Sequence, residues 1–165
     1  GYVDLQVSEN ALGVSSQAPR STLYLTGQAG YGSTANKIVR WTTVQTNQGS
    51  PAMTLTQDAT NGDSVTINES GVYALTAVLQ TTGAIGTMAS GFSINSSALT
   101  TSYTGLAAEE RLVAGSWNIG ASLGVTTSIV APLTAGSVIR VHTTGGTLSA
   151  SGVSEQSFTI TKVSN

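Results

Sequence analysis

Residues 62–80, GDSVTINESGVYALTAVLQ, contain two alternating apolar segments that meet at a Glu-Ser-Gly corner. In the second segment, alternate residues from Tyr73 to Leu79 are large or apolar on one face, and Val72, Ala74 and Val78 lie on the other. A period of two indicates a β-strand, and two apolar faces indicate a strand that is covered on both sides. The stretch therefore predicts two strands joined by a tight turn, the second of them in the core of a layered β protein.

Small residues dominate the chain, since Thr, Ser and Gly together occupy 66 of its 165 positions. Thr suits a pleated surface and Gly suits tight turns, whereas long helix formers are scarce. This composition predicts an all-β protein. Only 6 basic and 8 acidic side chains are present. Because free monomers commonly depend on mixed charges for solubility, so uncharged a surface favours a protein that is engaged by copies of itself or by a partner.

The alternating segments recur about every ten residues and predict eight to ten short strands, the pattern of an antiparallel sandwich or jelly roll. Three glycines between residues 27 and 33 predict a loop, and residues 91–94 and 98–100 predict a hairpin around Asn95-Ser96-Ser97. Residues 109–112 predict one helical turn or a loop. The predicted strands cover residues 21–26, 37–45, 53–55, 65–67, 72–79, 117–130, 128–133, 137–142 and 157–163.

Charge and composition argue against several classes of partner. The net charge is −2 and the four arginines are scattered along the chain, so we expect no nucleic-acid partner. The chain has no cysteine, which excludes disulfides and thiolate metal sites. No apolar run approaches the roughly 20 residues of a membrane-spanning helix, and the first residues resemble no signal peptide. We therefore expect no membrane partner and no export signal.

Residues 1–20 differ from the rest, because one weakly alternating segment at 2–7 is followed by a polar stretch that ends at Arg20. They are compatible with a first strand of the domain and, equally, with an extended arm that adds a strand to another protein's sheet. Residues 21–165 then form the predicted jelly-roll domain. The predicted contacts to coat protein or to another subunit are Tyr2, Val3, Leu5, Val7, Leu12 and Arg20.

Residues that could carry chemistry are few and do not converge. Asp58, Asn61 and Asp63 could surround Ca²⁺, but the segment lacks a calcium-loop motif and these residue types also build turns. His142 is the only histidine, so it cannot form a zinc site and is interpreted as structural or interfacial. Adjacent residues point apart, so Glu109 and Glu110 do not form a glycosidase pair. We predict no metal, no cofactor and no catalytic residue.

Five aromatic residues could build a platform on which a sugar ring stacks. In a β-sandwich, however, such residues more often lie in the core or at a subunit interface, and that is the interpretation adopted for them. The five are Tyr24, Tyr31, Trp41, Tyr103 and Trp117.

Four phrases occur in an order that resembles the tumour necrosis factor-like jelly roll, the fold of complement globular heads. They are Ser70-Gly71-Val72-Tyr73, Ile94-Asn95-Ser96-Ser97, the segment LTAGSVIRV at 133–141, and Ser157-Phe158-Thr159-Ile160. The resemblance covers about 125 residues from Lys37 to the end of the chain. It implies an antiparallel jelly roll, typically assembled as a homotrimer.

The preceding segment, RSTLYLTGQAGYGSTANKIVRW at 20–41, resembles one that occurs in virion proteins of tailed bacteriophages, where it is joined to the same kind of jelly roll. This resemblance implies a non-enzymatic structural protein of a virus particle. The leading hypothesis is a decoration or cement protein that binds the major capsid protein on the outer surface of the phage head. The alternative is a receptor-binding or structural domain of a tail fibre or spike, with tail proteins as partners; an enzyme is disfavoured because no acid, base or nucleophile set converges.

Overall fold

The computed structural model describes residues 20–33, 35–82, 87–112, 116–119, 124–150 and 153–165. Within these residues the chain forms ten strands and three short 3₁₀ helices, as the composition predicts. The strands are β1 (Thr22–Tyr31), β2 (Val39–Gln48), β3 (Met53–Thr56), β4 (Ser64–Ile67), β5 (Gly71–Gln80), β6 (Thr87–Ile94), β7 (Ser116–Ile119), β8 (Gly124–Leu133), β9 (Val138–Thr143) and β10 (Ser157–Ser164). The 3₁₀ helices are Tyr103–Gly105, Ala108–Glu110 and Val153–Glu155.

The strands form two five-stranded sheets that pack face to face. The first sheet has the order β2-β1-β10-β5-β8, and the second has the order β3-β4-β9-β6-β7. The strand pairings within both sheets are antiparallel. Because consecutive strands repeatedly change sheet, the chain winds around the sandwich as a jelly roll. The predicted fold class is therefore confirmed.

The Glu69-Ser70-Gly71 corner connects the two sheets instead of closing a hairpin. β4 pairs with β3 and β9, whereas β5 pairs with β10 and β8. Tyr73 and Leu75 are buried between the sheets, as are Ala77 and Leu79 further along β5. The intervening residues of β5 are only partly buried, so this strand is covered on one side and not on both.

The core joins the two sheets through a small aromatic cluster. Phe158 of β10 stacks on Trp41 of β2 with ring centroids 6.3 Å apart, and it meets Phe92 of β6 at 5.8 Å. All three rings are buried. The prediction of a core position for Trp41 is confirmed. Aromatic pairs at these separations add to the stabilisation that burial of their area supplies.

Two local predictions were wrong. β1 does not end before Gly27 but continues to Tyr31, because Gly27 and Gly30 adopt positive φ angles of 68° and 79° that let the strand bend. Its pairing with β2 shifts register between Gln28 and Tyr31. The hairpin predicted around Asn95 does not form either. β6 pairs with β7 and β9, and residues 98–100 make no strand.

Residues 95–112, here called the covering segment, cross the outward face of the second sheet. The segment carries two of the 3₁₀ helices, one at the site of the predicted helical turn. Tyr103 and Leu106 of this segment are buried. The Tyr103 ring lies directly over Gly91 of β6, where a Cβ atom would overlap the ring. Leu112 then donates its backbone N–H to the Phe92 carbonyl at 2.9 Å, which returns the segment to β6.

Candidate functional site

The outward face of the first sheet is open and carries no charged side chain on four of its five strands, namely β1, β10, β5 and β8. The burial pattern alternates along these strands, with one set of residues in the core and the other set pointing outward. We call the outward set the uncharged face. It consists of Thr22, Tyr24, Ser157, Thr159, Thr161, Val72, Ala74, Thr76, Val78, Thr126, Ser128, Val130 and Pro132.

Strand register places these residues in rows across the face. One row runs from Thr22 through Thr161 and Ala74 to Val130. Val130 is 66% exposed, and Tyr24 is 39% exposed. Val130 stands on β8, the edge strand of this sheet, and a regular surface that lacks charged side chains and carries exposed apolar ones is typical of a protein contact.

The hydroxyl groups of this face bond to one another across the strands. Thr22 Oγ1 lies 3.1 Å from Thr161 Oγ1, and Thr76 Oγ1 lies 2.9 Å from Ser128 Oγ. Because these groups already have a hydrogen-bond partner, covering them with another protein surface leaves fewer unsatisfied polar atoms. The face is therefore suited to burial against a partner of similar character.

Of the predicted contact residues, Arg20 is described by the structure. It is exposed and stands directly before Ser21, whose carbonyl accepts a hydrogen bond from the Lys162 backbone N–H at 2.9 Å. Chain preceding β1 therefore enters at the end of the first sheet. Tyr2, Val3, Leu5, Val7 and Leu12 lie outside the described residues. The assignment of residues 1–20 as an arm and of 21–165 as one domain stays a prediction.

Asp58, Asn61 and Asp63 build a turn, in agreement with the structural interpretation. Asp58 Oδ1 accepts hydrogen bonds from the Thr60 and Asn61 backbone N–H groups at 2.7 and 2.9 Å. The bonds from Asn61 lower the pKa of Asp58 most. Asp63 accepts the Trp41 N–H at 2.8 Å, and burial raises its pKa. These carboxylates are engaged by backbone donors that a calcium ion would have to displace.

His142 is fully buried on β9 beneath the covering segment. Its Nε2 lies 2.8 Å from the Thr101 carbonyl oxygen, so the neutral ring donates a proton there. Burial lowers the pKa of His142. Its Nδ1 has no hydrogen-bond partner among the described residues. This placement agrees with the structural role predicted for the only histidine.

The remaining candidates do not assemble into a site. Glu109 is exposed and Glu110 partly so, both on a 3₁₀ helix of the covering segment. The proposed sugar platform is not formed, because Trp41 and Tyr103 are buried in different places while Tyr24 stands on the uncharged face. The side chain of Trp117 is not among those that the structure describes. The described residues hold no cluster of three or more His, Cys, Asp or Glu side chains suited to a metal.

A search of the described residues finds no helix that is long and apolar enough to cross a membrane.

This chain resembles known proteins in its three-dimensional structure, whereas comparisons of its sequence find no match. No protein-family model matches the chain, and no curated protein matches it either. Among solved structures, murine APRIL superimposes with a TM-score of 0.62 at 20% identity, over 87% of this chain and 99% of that one. The Eiger TNF of S. frugiperda superimposes with a TM-score of 0.61 at 16% identity, over 88% of this chain and 94% of that one.

These superpositions establish a tumour necrosis factor-like jelly-roll fold for the chain. At 16–20% sequence identity these superpositions show a shared fold and nothing about function. Sequence reasoning anticipated that fold but missed the uncharged face. The sequence contains a pattern that indicates this face, since buried residues of β8 alternate with Thr126, Ser128 and Val130. The pattern was missed because the segment was interpreted as two overlapping strands.

Proposed function

We propose that the chain is a non-enzymatic structural protein of a virus particle, a trimeric decoration or cement protein on the outer surface of a phage head. The observation that carries this proposal is the uncharged face, a regular sheet surface that presents no charged side chain and has the exposed apolar Val130 on its edge strand β8. The segment at 20–41, which resembles one in virion proteins of tailed bacteriophages, supports the viral setting. The fold itself is compatible with many functions and does not select one.

The uncharged face supports assembly with further copies of the same chain. Two such faces brought together place no like charges in contact, and the hydroxyl pairs of Thr22 and Thr76 with their neighbours keep their bonds. A standard interface buries about 800 Å² per partner. At about 25 cal/mol per Å² of apolar area, the apolar part of such a burial can stabilise the assembly by several kcal/mol per copy.

Residues 1–20 then bind the capsid. An extended segment that adds a strand to the sheet of a coat protein gains main-chain hydrogen bonds without needing charge. Arg20, the first described residue, is exposed two positions before β1 begins. Each trimer brings three such segments together, and multivalent attachment raises the overall affinity without new contacts.

The proposed absence of catalysis is supported by the geometry of the acidic residues and of His142. General acid–base chemistry needs a titratable group within reach of a substrate. His142 is covered by the protein's own chain, and the Asp58 carboxylate accepts backbone hydrogen bonds within its turn.

The number of copies per particle tests the location. We expect quantitative mass spectrometry or cryo-electron microscopy of purified virions to find hundreds of copies, distributed over the shell. A handful of copies at the tail would overturn the capsid role and support the tail-fibre or spike alternative.

Removal of residues 1–20 tests the attachment. We expect the 21–165 variant to lose binding to heads that lack the protein, while the full chain restores the full complement. Circular dichroism and the mass of the assembly in solution serve as controls for folding. Full decoration by the truncated, folded chain would show that the arm is not the attachment segment.

A further inference from the structure

A cavity of about 520 Å³, lined by polar and apolar atoms, opens where the turn after β3, the start of the covering segment and β9 meet. Its size lies within the range of about 300–1,000 Å³ that is usual for small-ligand pockets. Asp58 and Arg140 lie in its wall, together with Asn95 and Ser97 and an apolar patch from Leu99. Neither sequence reasoning nor the proposed virion role assigns any activity to this cavity.

The protein holds the Arg140 guanidinium in place but does not satisfy all of its hydrogen-bond donors. Its Nη1 donates to the Ser96 carbonyl at 3.1 Å, whereas its Nε is buried and has no partner among the described residues. A guanidinium offers five N–H donors in a fixed plane. The buried Nε–H is out of reach of a ligand, but the terminal Nη groups make only the Ser96 bond among the described residues, so their remaining hydrogens can donate to a ligand in the cavity.

Asp58 supplies the opposite charge in the same cavity. Three donors from Thr60 and Asn61 bind its two carboxylate oxygens. These bonds lower its pKa, so the group is ionised at neutral pH and keeps one further lone-pair position. Because one negative and one positive side chain balance, the cavity exerts little net attraction on a charged ligand.

The walls are rigid, which favours a ligand that fits without rearrangement. Asn95 has a positive φ of 54°, and its Oδ1 accepts the Val138 backbone N–H at 2.8 Å. This bond orients the amide and leaves the Nδ2 hydrogens for another partner. On the opposite wall, Gly62 packs so closely on Ile38 that a Cβ atom could not be accommodated. A preorganised site loses less entropy on binding.

From this arrangement we propose that the cavity binds a neutral sugar unit, one ring of a glycan. Asp58 accepts hydrogen bonds from ring hydroxyls, and Arg140 and Asn95 donate to hydroxyl or ring oxygens. Leu99 contacts the C–H face of the ring. The charge balance selects a neutral sugar over an acidic one. This inference is independent of the capsid role, since a decoration protein could carry such a pocket on its outer surface.

Saturation-transfer NMR on the full chain tests the proposal with methyl glucoside, methyl galactoside, methyl mannoside and methyl glucuronide as probes. We expect at least one neutral glycoside to bind with a dissociation constant near or below about 1 mM. Arg140→Gln and Asp58→Asn should each weaken binding at least about tenfold. Arg111→Gln, the same substitution at an exposed arginine outside the cavity, should leave binding unchanged.

Two outcomes overturn the proposal: no neutral glycoside binds the folded protein, or binding persists undiminished in Arg140→Gln. Binding of the glucuronide alone overturns the argument from charge balance. Should Arg140→Gln fail to fold, Ser97→Trp provides a second test, because this exposed residue lines the cavity and its enlargement fills the opening. Loss of sugar binding does not affect copy number on the virion or attachment through residues 1–20, so the two proposals fail separately.

Discussion

The two outward faces of the sandwich differ in whether the chain itself covers them. The uncharged face on the first sheet is not covered by other residues that the structure describes, and Val130 on its edge strand β8 is 66% exposed. The corresponding face of the second sheet is crossed by the covering segment, which buries Tyr103 and Leu106 and encloses His142. One sheet is covered by the protein itself, and the outward face of the other is left uncovered by the residues that the structure describes.

This difference suggests a division of roles. A sheet with regular alternation and paired hydroxyls can accept a flat partner over its whole width. A face crossed by an irregular segment instead acquires edges, buried polar groups and a cavity at its margin. We therefore assign protein assembly to the first face and ligand recognition to the border of the second. Substitutions on the two faces should then have separable effects.

A charge on the uncharged face should have the largest effect. We expect Val130→Glu to abolish trimer formation, because it places an unpaired charge in the contact, which costs several kcal/mol. Light scattering coupled to size exclusion should give the mass of a monomer with unchanged circular dichroism. Thr100→Glu, an exposed position on the covering segment, should stay trimeric. A trimeric Val130→Glu variant would remove the assigned role of this face.

Adding a methyl group at the tight contact between β6 and the covering segment should give the next largest effect. A Cβ atom at Gly91 would overlap Tyr103, so we expect Gly91→Ala to lower the free energy of unfolding by about 1–3 kcal/mol. Gly124→Ala is the matched control, since its new methyl group meets nothing closer than the Leu79 carbonyl oxygen at 3.9 Å. Urea denaturation measures both. Equal stability of the two variants would mean that the segment does not pack tightly on β6.

The same contrast explains what could be predicted from the sequence. Alternation along β5 and β10 depends on local periodicity, so the strands and the all-β class were predictable. The covering segment depends on contacts between residues distant in sequence, such as Gly91 with Tyr103. Because no periodicity encodes such a contact, residues 98–100 were assigned to a hairpin. The β4–β5 corner was also misassigned, since a change of sheet and a hairpin use the same turn residues.

The cavity was not predictable for a similar reason. Asp58 and Arg140 are more than 80 residues apart in the sequence, and the jelly-roll winding places both in its wall. Asp58 was considered only with its neighbours Asn61 and Asp63, as a calcium loop, and Arg140 only as one of four scattered arginines. Their shared position follows from the order of strands in the second sheet.

Protonation of His142 should loosen the covered face by a moderate amount. Burial lowers its pKa in the folded state, Arg140 lowers it further, and Glu110 and the Thr101 carbonyl oppose this. Below the ordinary histidine pKa of about 6.5, the unfolded chain therefore binds more protons at His142 than the folded protein does. Stability is full above that pH and falls as the pH decreases, by up to about 1.4 kcal/mol per unit.

Urea denaturation between pH 5 and pH 8 measures this slope. His142→Gln keeps a hydrogen-bond donor for the Thr101 carbonyl and removes the titrating group, so its stability should vary less with pH across this range. An unchanged slope in the variant would assign the pH dependence to other residues. Because His142 lies under the covering segment, loss of stability at low pH should be accompanied by faster amide exchange in that segment and not on the uncharged face.

The ion pair at the Glu69 corner between the two sheets should have the smallest effect. Lys162 Nζ lies 2.8 Å from Glu69 Oε2, with the lysine side chain 13% exposed and the glutamate 45% exposed. A double-mutant cycle with Lys162→Met and Glu69→Gln should give a coupling energy of about 0.2–1 kcal/mol, which falls in added salt. Methionine retains the apolar stem that packs beside Gly71. A coupling of about 3 kcal/mol or more, insensitive to salt, would indicate that the pair is buried in the assembled trimer, and the contact would then extend beyond the uncharged face to the corner between the sheets.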